Sequence, residues 1–79
     1  MRYPAGEEAR LGDKVRLGDA EDGLVVCSLD TGEFSEEFSR EDWQSLGKGI
    51  LIRFEQLGLV HYVIPEETLV LLERSRKDG

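Results

Sequence analysis

The sequence predicts a small, mainly β domain, built as a five-stranded barrel with one short helical insertion around residues 40–46. Three observations lead to this prediction. The 79 residues suffice for one domain with a thin core. The apolar residues fall in short, β-branched runs separated by turns rich in glycine and aspartate. A sheet of so few short strands must curl to bury a core and protect its edges, which favours a barrel.

The first two strands follow from apolar runs between turns. Residues 14–17 alternate bases with Val15 and Leu17, so one face should be buried and the other wet. Glycine-aspartate pairs punctuate both ends of this run. Residues 24–29 are almost continuously apolar, which predicts a central strand covered on both faces.

A helical turn is predicted at residues 40–46. Ser39 lies three residues before Asp42, a weak capping box, and Gly47 offers an end to the helix. Trp43 and Leu46 would then lie on one side of the turn.

The runs at residues 50–55 and 59–64 predict a hairpin, for which two registers are compatible with the sequence. A two-residue turn would pair Phe54 with His61 and require a positive φ at a leucine. A three-residue loop over residues 56–58 pairs Phe54 with Val60 and places Gly58 at the left-handed position. The second register is favoured; it also pairs Ile52 with Tyr62, Ile50 with Ile64, and Arg53 with His61.

The last run, residues 66–73, is compatible with a short helix after Pro65 or with a closing strand. Thr68 and Val70 favour the strand. Residues 75–79 are polar and predict a frayed tail. The length of the chain predicts that residues 1–79 form a single domain.

The negative charge is concentrated in one stretch. The net charge is −7, and residues 19–42 hold nine of the 17 acidic side chains but one of the ten basic ones. Such a field repels nucleic acid and anionic membrane and attracts a basic protein partner. With one cysteine, no apolar leader and no long apolar run, the chain is expected to be cytoplasmic and not to cross a membrane.

The residue types needed for catalysis or cofactor binding are scarce. Cys27 and His61 are the only cysteine and histidine, which argues against a zinc site. Cys27, His61 and Asp30 are the residue types of a nucleophilic catalytic set. Cys27, however, lies in an apolar strand, where a free cysteine behaves as a small buried apolar residue. No glycine-rich phosphate loop opens a helix. We therefore expect no enzyme activity, no metal and no cofactor.

The acidic stretch also contains three aromatic residues, for which two interpretations exist. They cover an open end of the barrel, or they anchor a partner within a ring of acids suited to a basic cleft. On the second interpretation the partner-binding residues are Asp19, Glu21, Asp22, Phe34, Glu36, Glu37, Phe38, Glu41, Asp42 and Trp43.

The opening strands resemble a known kind of hairpin. Residues 12–17, 22–26 and 29–30 resemble the opening hairpin of SH3-like barrels of the KOW kind, which implies an SH3-like fold. KOW loops that touch nucleic acid are basic, whereas this loop is acidic, so nucleic-acid binding does not carry over.

The whole chain resembles a group of short, acidic, uncharacterised bacterial proteins that are similar to immunity-type companions of toxins. The matching features include residues 3–6, 10–15 and 25–35, Trp43, and residues 49–52 and 58–62. The resemblance implies an immunity or inhibitor protein whose acidic face occludes a basic site on a toxin enzyme. The alternative is a generic SH3-like interaction or structural module with no toxin partner.

Overall fold

The computed structural model describes residues 1–19 and 21–74, which form a single five-stranded antiparallel sheet. The strands are β1 (Lys14–Leu17), β2 (Glu21–Ser28), β3 (Ile50–Phe54), β4 (Gly58–Tyr62) and β5 (Leu69–Glu73). Their order is β4-β3-β2-β1-β5, so β5 returns beside the first strand. The predicted mainly β fold with five strands is confirmed. The predicted frayed tail, residues 75–79, lies outside the described residues.

The predicted closure into a barrel is not found in the described strand pairing. Strands β4 and β5 are the two edges of the sheet, and the described part of the chain contains no ladder between them. After Tyr62, residues 63–68 form bends and a turn instead of continuing β4 toward β5. The N-terminal segment supplies cover instead, because Met1, Tyr3 and Ala9 pack into the same core as the strands.

The sheet is buried on two faces by two separate groups of side chains. The inner core contains Met1, Tyr3, Ala9, Val15, Val25, Ile50, Ile52, Phe54, Tyr62 and Leu69. The outer cluster contains Val26, Cys27, Phe38 and Leu51, with Leu29, Phe34 and Trp43 packed against it. A bulge in β2 between Val25 and Cys27 separates the two groups, since Val25 points inward while Val26 and Cys27 both face the outer cluster. The prediction of a strand covered on both faces is confirmed for residues 25–28, whereas Leu24 is exposed.

The β3–β4 hairpin exists, but the predicted register is wrong by two residues. Phe54 pairs with Gly58, Ile52 with Val60, Ile50 with Tyr62 and Arg53 with Leu59. The three-residue turn is shifted by one residue, to residues 55–57, where a Glu21 carboxylate oxygen accepts hydrogen bonds from the backbone N–H groups of Gln56 (2.7 Å) and Leu57 (3.3 Å). Gly58 has a φ of 80°, as predicted, and a shift of two residues leaves each side chain on its predicted face.

The predicted helical turn is confirmed at residues 40–46. It consists of α1 (Arg40–Trp43) followed by a 3₁₀ turn, Gln44–Leu46. The Asp42 N–H donates to Ser39 Oγ at 3.3 Å, which is the predicted cap, and Gly47 ends the turn with a φ of 84°. Residues 34–46, which lie over the outer face of β2 and β3, are called the covering segment below.

The N-terminal segment is fixed by a buried carboxylate. Asp13 is fully buried; it accepts hydrogen bonds from the Tyr3 hydroxyl at 2.7 Å and from the Arg10 N–H at 2.9 Å. Arg74, which follows β5, places its Nε 3.3 Å from the same carboxylate. Burial and the hydrogen bond to Asp13 raise the pKa of the Tyr3 hydroxyl, so it remains a donor. Asp13 therefore ties the start of the chain to the end of the sheet.

A second polar contact links the N-terminal segment to the loop that follows β2 and to the loop that precedes β3. The Met1 ammonium pairs with Asp30 and lies 3.2 Å from Glu8. Asp30 also accepts a hydrogen bond from the Gly49 N–H at 3.1 Å. The Met1 ammonium lowers the pKa of Asp30. Burial lowers the pKa of the ammonium, but the hydrogen bonds of the ammonium to Asp30 and Glu8 act in the opposite direction, and its pKa is raised.

Candidate partner-binding groove

The outer face of the sheet is uncovered beyond the outer cluster. Leu24, Arg53 and Leu59 are cross-strand neighbours on β2, β3 and β4, and Lys14 extends this row onto β1. Leu24 remains 41% exposed, which is unusual for a leucine in a central strand. The row therefore offers an exposed strip in which two leucines, Leu24 and Leu59, alternate with two basic side chains, Lys14 and Arg53.

The covering segment packs beside this strip. Its Phe38 is buried against the outer cluster, and the Phe38 and Trp43 rings lie 5.3 Å apart between centroids. Ser35 fixes the start of the segment, because its hydroxyl donates to the Val26 carbonyl at 2.9 Å. The segment thus forms one wall beside the exposed strip.

A groove of about 430 Å³ lies between this wall and the sheet. Leu24, Val26, Leu11 and Phe34 give it an apolar lining, while the rim carries Glu36, Glu37 and Arg53. Ligand pockets typically have volumes of roughly 300–1,000 Å³, so the groove is at the lower end of that range. Its dimensions suit one or two side chains of a partner.

The groove continues toward the β1–β2 turn. A shallower depression of about 310 Å³ shares Leu24 and Arg53 with the groove and extends to Asp22 and Glu55. A third depression of about 330 Å³ follows, with polar walls that include Asp19 and Glu21. One face of the sheet therefore changes from apolar at the covering segment to acidic at the turn.

Several of the predicted acids have partners within the chain. Glu21 caps the β3–β4 turn, and Asp22 accepts from Arg16 Nε at 2.8 Å, which lowers the pKa of Asp22. Glu37 Oε2 lies 3.0 Å from Arg53 Nη2. All three pairs are at or near the surface, so their carboxylates remain accessible to a partner.

The structure separates the ten predicted partner-binding residues into four places. Phe34, Glu36 and Glu37 line the groove. Phe38 and Trp43 belong to the outer cluster, where they cover the sheet and not an open barrel end. Glu41 and Asp42 are exposed on α1, and Asp19, Glu21 and Asp22 lie at the β1–β2 turn.

Leu11, Leu24 and Arg53 line the groove, although the sequence patterns did not point to them as site residues. Arg53 carried a usable signal: it is a lone base within the apolar run 50–54, on the face opposite Ile52 and Phe54. Leu24 carried none, because its run predicts burial.

The residues considered for catalysis are held apart. Cys27 pairs with Leu51 and Leu51 pairs with His61, so the thiol and the imidazole are two strands apart, about 10 Å. The His61 Nε2 instead lies 2.8 Å from the Lys48 carbonyl oxygen, and Asp30 contacts Met1. Burial raises the pKa of the Cys27 thiol, which disfavours the nucleophilic thiolate.

Across the described residues, no three acidic, cysteine or histidine side chains are grouped to hold a metal ion. No helix in residues 1–19 and 21–74 has the length and apolar character needed to cross a membrane. No protein-family model, curated protein or solved structure matches the chain.

Proposed function

We propose that the protein is a small, non-catalytic binding protein whose groove takes a basic partner protein. The observation that carries the proposal is the composition of the groove: an apolar lining beside a rim on which two acids, Glu36 and Glu37, outnumber one base, Arg53. An apolar anchor site surrounded by polar and charged groups is the usual arrangement of an energetically important interface centre.

The distribution of charge supports a basic partner. Glu36 and Glu37 belong to the stretch that holds nine of the 17 acids, and on the neighbouring depressions the acids Asp19, Glu21, Asp22 and Glu55 outnumber the bases Lys14, Arg16 and Arg53. A field of one sign accelerates the encounter with a partner of the opposite sign. A stable interface takes about 800 Å² from each partner. That is about a sixth of this protein's 5168 Å² of accessible surface, so contact would extend from the groove to neighbouring acids such as Glu41 and Asp42.

The more specific form of the proposal is a cytoplasmic bacterial immunity or inhibitor protein. In that form the acidic face occludes the cationic substrate site of a toxin enzyme. Its support is the resemblance described for the whole chain, together with a groove that could receive a side chain from the rim of such a site. This form predicts a toxin enzyme encoded beside the chain's gene; co-expression of the chain with that enzyme should restore growth, whereas co-expression of the groove variant described below should not.

A second candidate is an SH3-like interaction or structural module without a toxin partner. Two observations favour it. Strand β5 returns beside β1, which is compatible with an SH3-like arrangement. Phe38 and Trp43 are packed against the outer cluster and are therefore not free anchors for a partner.

Selection from a random displayed-peptide library tests the proposal even though the partner is unidentified. The immobilised protein should enrich sequences that place arginine or lysine beside a large apolar residue. The variant with Glu36→Gln and Glu37→Gln should lose this enrichment, because the basic side chains lose their rim contacts. The matched control, Glu7→Gln with Glu67→Gln, removes two exposed acids elsewhere and should retain it. Enrichment without a preference for basic residues would favour the module, and no enrichment would overturn the binding proposal.

A further inference from the structure

Two arginine side chains already contact aromatic rings of the covering segment: Arg40, which belongs to the segment itself, and Arg53 of β3. The Arg40 guanidinium carbon lies 4.7 Å from the centroid of the Phe34 ring, and its Nη2 donates to the Gly32 carbonyl at 3.2 Å. The Arg53 guanidinium carbon lies 5.4 Å from the Phe38 ring centroid, and its Nη2 donates to Glu37 at 3.0 Å. In both cases a planar cation meets an aromatic ring and an oxygen acceptor, a combination that a guanidinium satisfies better than an ammonium.

Arg53 makes this contact at the rim of the groove itself. Its side chain is 46% exposed and the Glu37 side chain is 73% exposed. Ion pairs with such exposure contribute little to stability, because solvent competes for both charges. The contact is therefore readily exchanged for a similar contact with an incoming cation.

We infer that the groove recognises an arginine and an apolar residue two positions apart in an extended segment of the partner, and that Arg53 is a resident competitor for the arginine position. This inference rests on the proposed function. The partner's apolar side chain would lie against Leu24, Val26 and Phe34. Its arginine would take the place of Arg53 at Glu37, with Glu36 adding charge at the rim. Residues two apart in an extended chain point to the same side, about 7 Å apart, which sets the spacing of the two groups.

The test uses two blocked synthetic peptides, acetyl-Gly-Arg-Ser-Leu-Gly-amide and its lysine counterpart, titrated into the full chain at about 0.15 M salt, where charges more than about 8 Å apart are largely screened. Amide NMR signals of the groove, at Leu24, Val26, Glu36 and Glu37, should shift with the arginine peptide. Arg53→Met keeps the apolar stem and removes the competitor, so binding should tighten by about two- to five-fold, the range expected from an exposed ion pair. The lysine peptide should bind more weakly than the arginine peptide to both proteins.

Arg2→Met is the matched control, because Arg2 is an exposed arginine of the N-terminal segment that lines neither the groove nor the two neighbouring depressions, and its Nη1 donates to the Gly6 carbonyl at 2.9 Å. It should leave the affinity within about a factor of 1.5 of its original value, since a distant surface charge adds little at the groove. Arg53→Gln provides a second test of the competitor if Arg53→Met changes the NMR spectrum beyond the groove.

The outcomes separate the inference from the proposed function. If basic peptides bind at the groove but neither Arg53 variant tightens binding, the competitor role is wrong and the binding function stands. If lysine and arginine peptides bind equally, the specificity for a guanidinium is wrong. If neither peptide shifts the groove signals in any variant, both this inference and an acidic binding function at the groove fail.

Discussion

Neighbouring residues on β3 lie on opposite faces of the sheet and experience very different surroundings. Ile52 is fully buried in the inner core, which draws side chains from all five strands and from the N-terminal segment. Leu51 is 2% exposed, yet its cover comes mainly from one short stretch of chain that contains Phe38 and Trp43. Equal burial is thus achieved by a whole domain on one face and by a single segment on the other.

This difference suggests that the inner core stabilises the fold while the outer face is free to bind a partner. The inner core holds the strands together and leaves little room for change. The outer face has a small cluster, and the exposed strip that contains Leu24 lies beside it. A face that is only partly covered is where a partner can bind without disturbing the fold. The comparison predicts that substitutions on the two faces will differ in cost and in extent.

The largest effect is expected from truncating the two β3 neighbours. Ile52→Ala should lower the free energy of unfolding by about 4 kcal/mol, near the upper part of the range for buried large-to-small changes, because the inner core is held on all sides. Leu51→Ala should cost about 2 kcal/mol, since the covering segment can settle into the space. Urea unfolding at pH 7 measures both. Equal costs would show that the outer cluster is as rigid as the inner core.

A smaller and more local effect is expected from Phe38→Ala. Loss of this ring removes the contact with Trp43 and much of the cover over Leu51, so residues 34–46 should open without unfolding the sheet. Hydrogen exchange should accelerate at least ten-fold in this segment and in β3 amides near Leu51, and much less in β1 and β5. Uniform acceleration across all five strands would mean that the segment and the sheet unfold together, contrary to the comparison.

The smallest effect concerns the polar link between the N-terminal segment and the loop before β3. The Met1 ammonium lowers the pKa of Asp30, so the folded pKa lies below the unfolded value near 3.8. The stabilisation is therefore present above that value and is lost as the pH falls through the folded pKa. Asp30→Asn should cost about 1 kcal/mol at pH 7, a value typical of a partly exposed charged hydrogen bond.

Repeating the unfolding measurement at acid pH checks this sign. The difference between Asp30→Asn and the original chain should shrink as the pH falls below 3.8 and level off below the lower, folded pKa, where both chains carry an uncharged group at this position. Asp19→Asn, which changes an exposed turn acid, serves as the control and should show a difference close to zero at every pH. A difference that stays constant with pH would assign the effect to the hydrogen bond with Gly49 alone.

Local patterns were sufficient to predict the elements of the fold. Alternation at Val15 and Leu17 predicts β1, and Ser39 with Gly47 predicts the helical turn, since each signal involves residues close in the chain. The hairpin register was not predictable in the same way. The observed register goes with a hydrogen bond from the Gln56 N–H to Glu21, which is 35 residues away and leaves no local signal in the hairpin sequence.

The candidate site shows the same limit. The acidic stretch marks the correct region, but its charge pattern suggests one surface of ten residues, and the structure places them at four positions. Phe38 and Trp43 pack on the outer face of the sheet, against Val26 and Cys27, which both reach that face at the bulge in β2. Arg53 joins the groove through Glu37, which is 16 residues away. Such pairings arise from the packing of the segment on the sheet and have no periodic signature.

The burial of Cys27 makes the reactivity of its thiol a measure of local opening of the structure. This thiol is the only one in the chain, it lies under the covering segment, and burial raises its pKa. An alkylating reagent reacts with the thiolate, so modification must wait until the segment lifts and solvent reaches the sulfur. The rate at which Cys27 is alkylated therefore reports how often residues 34–46 open. A partner that binds this segment and keeps it closed would slow the alkylation without contacting the cysteine.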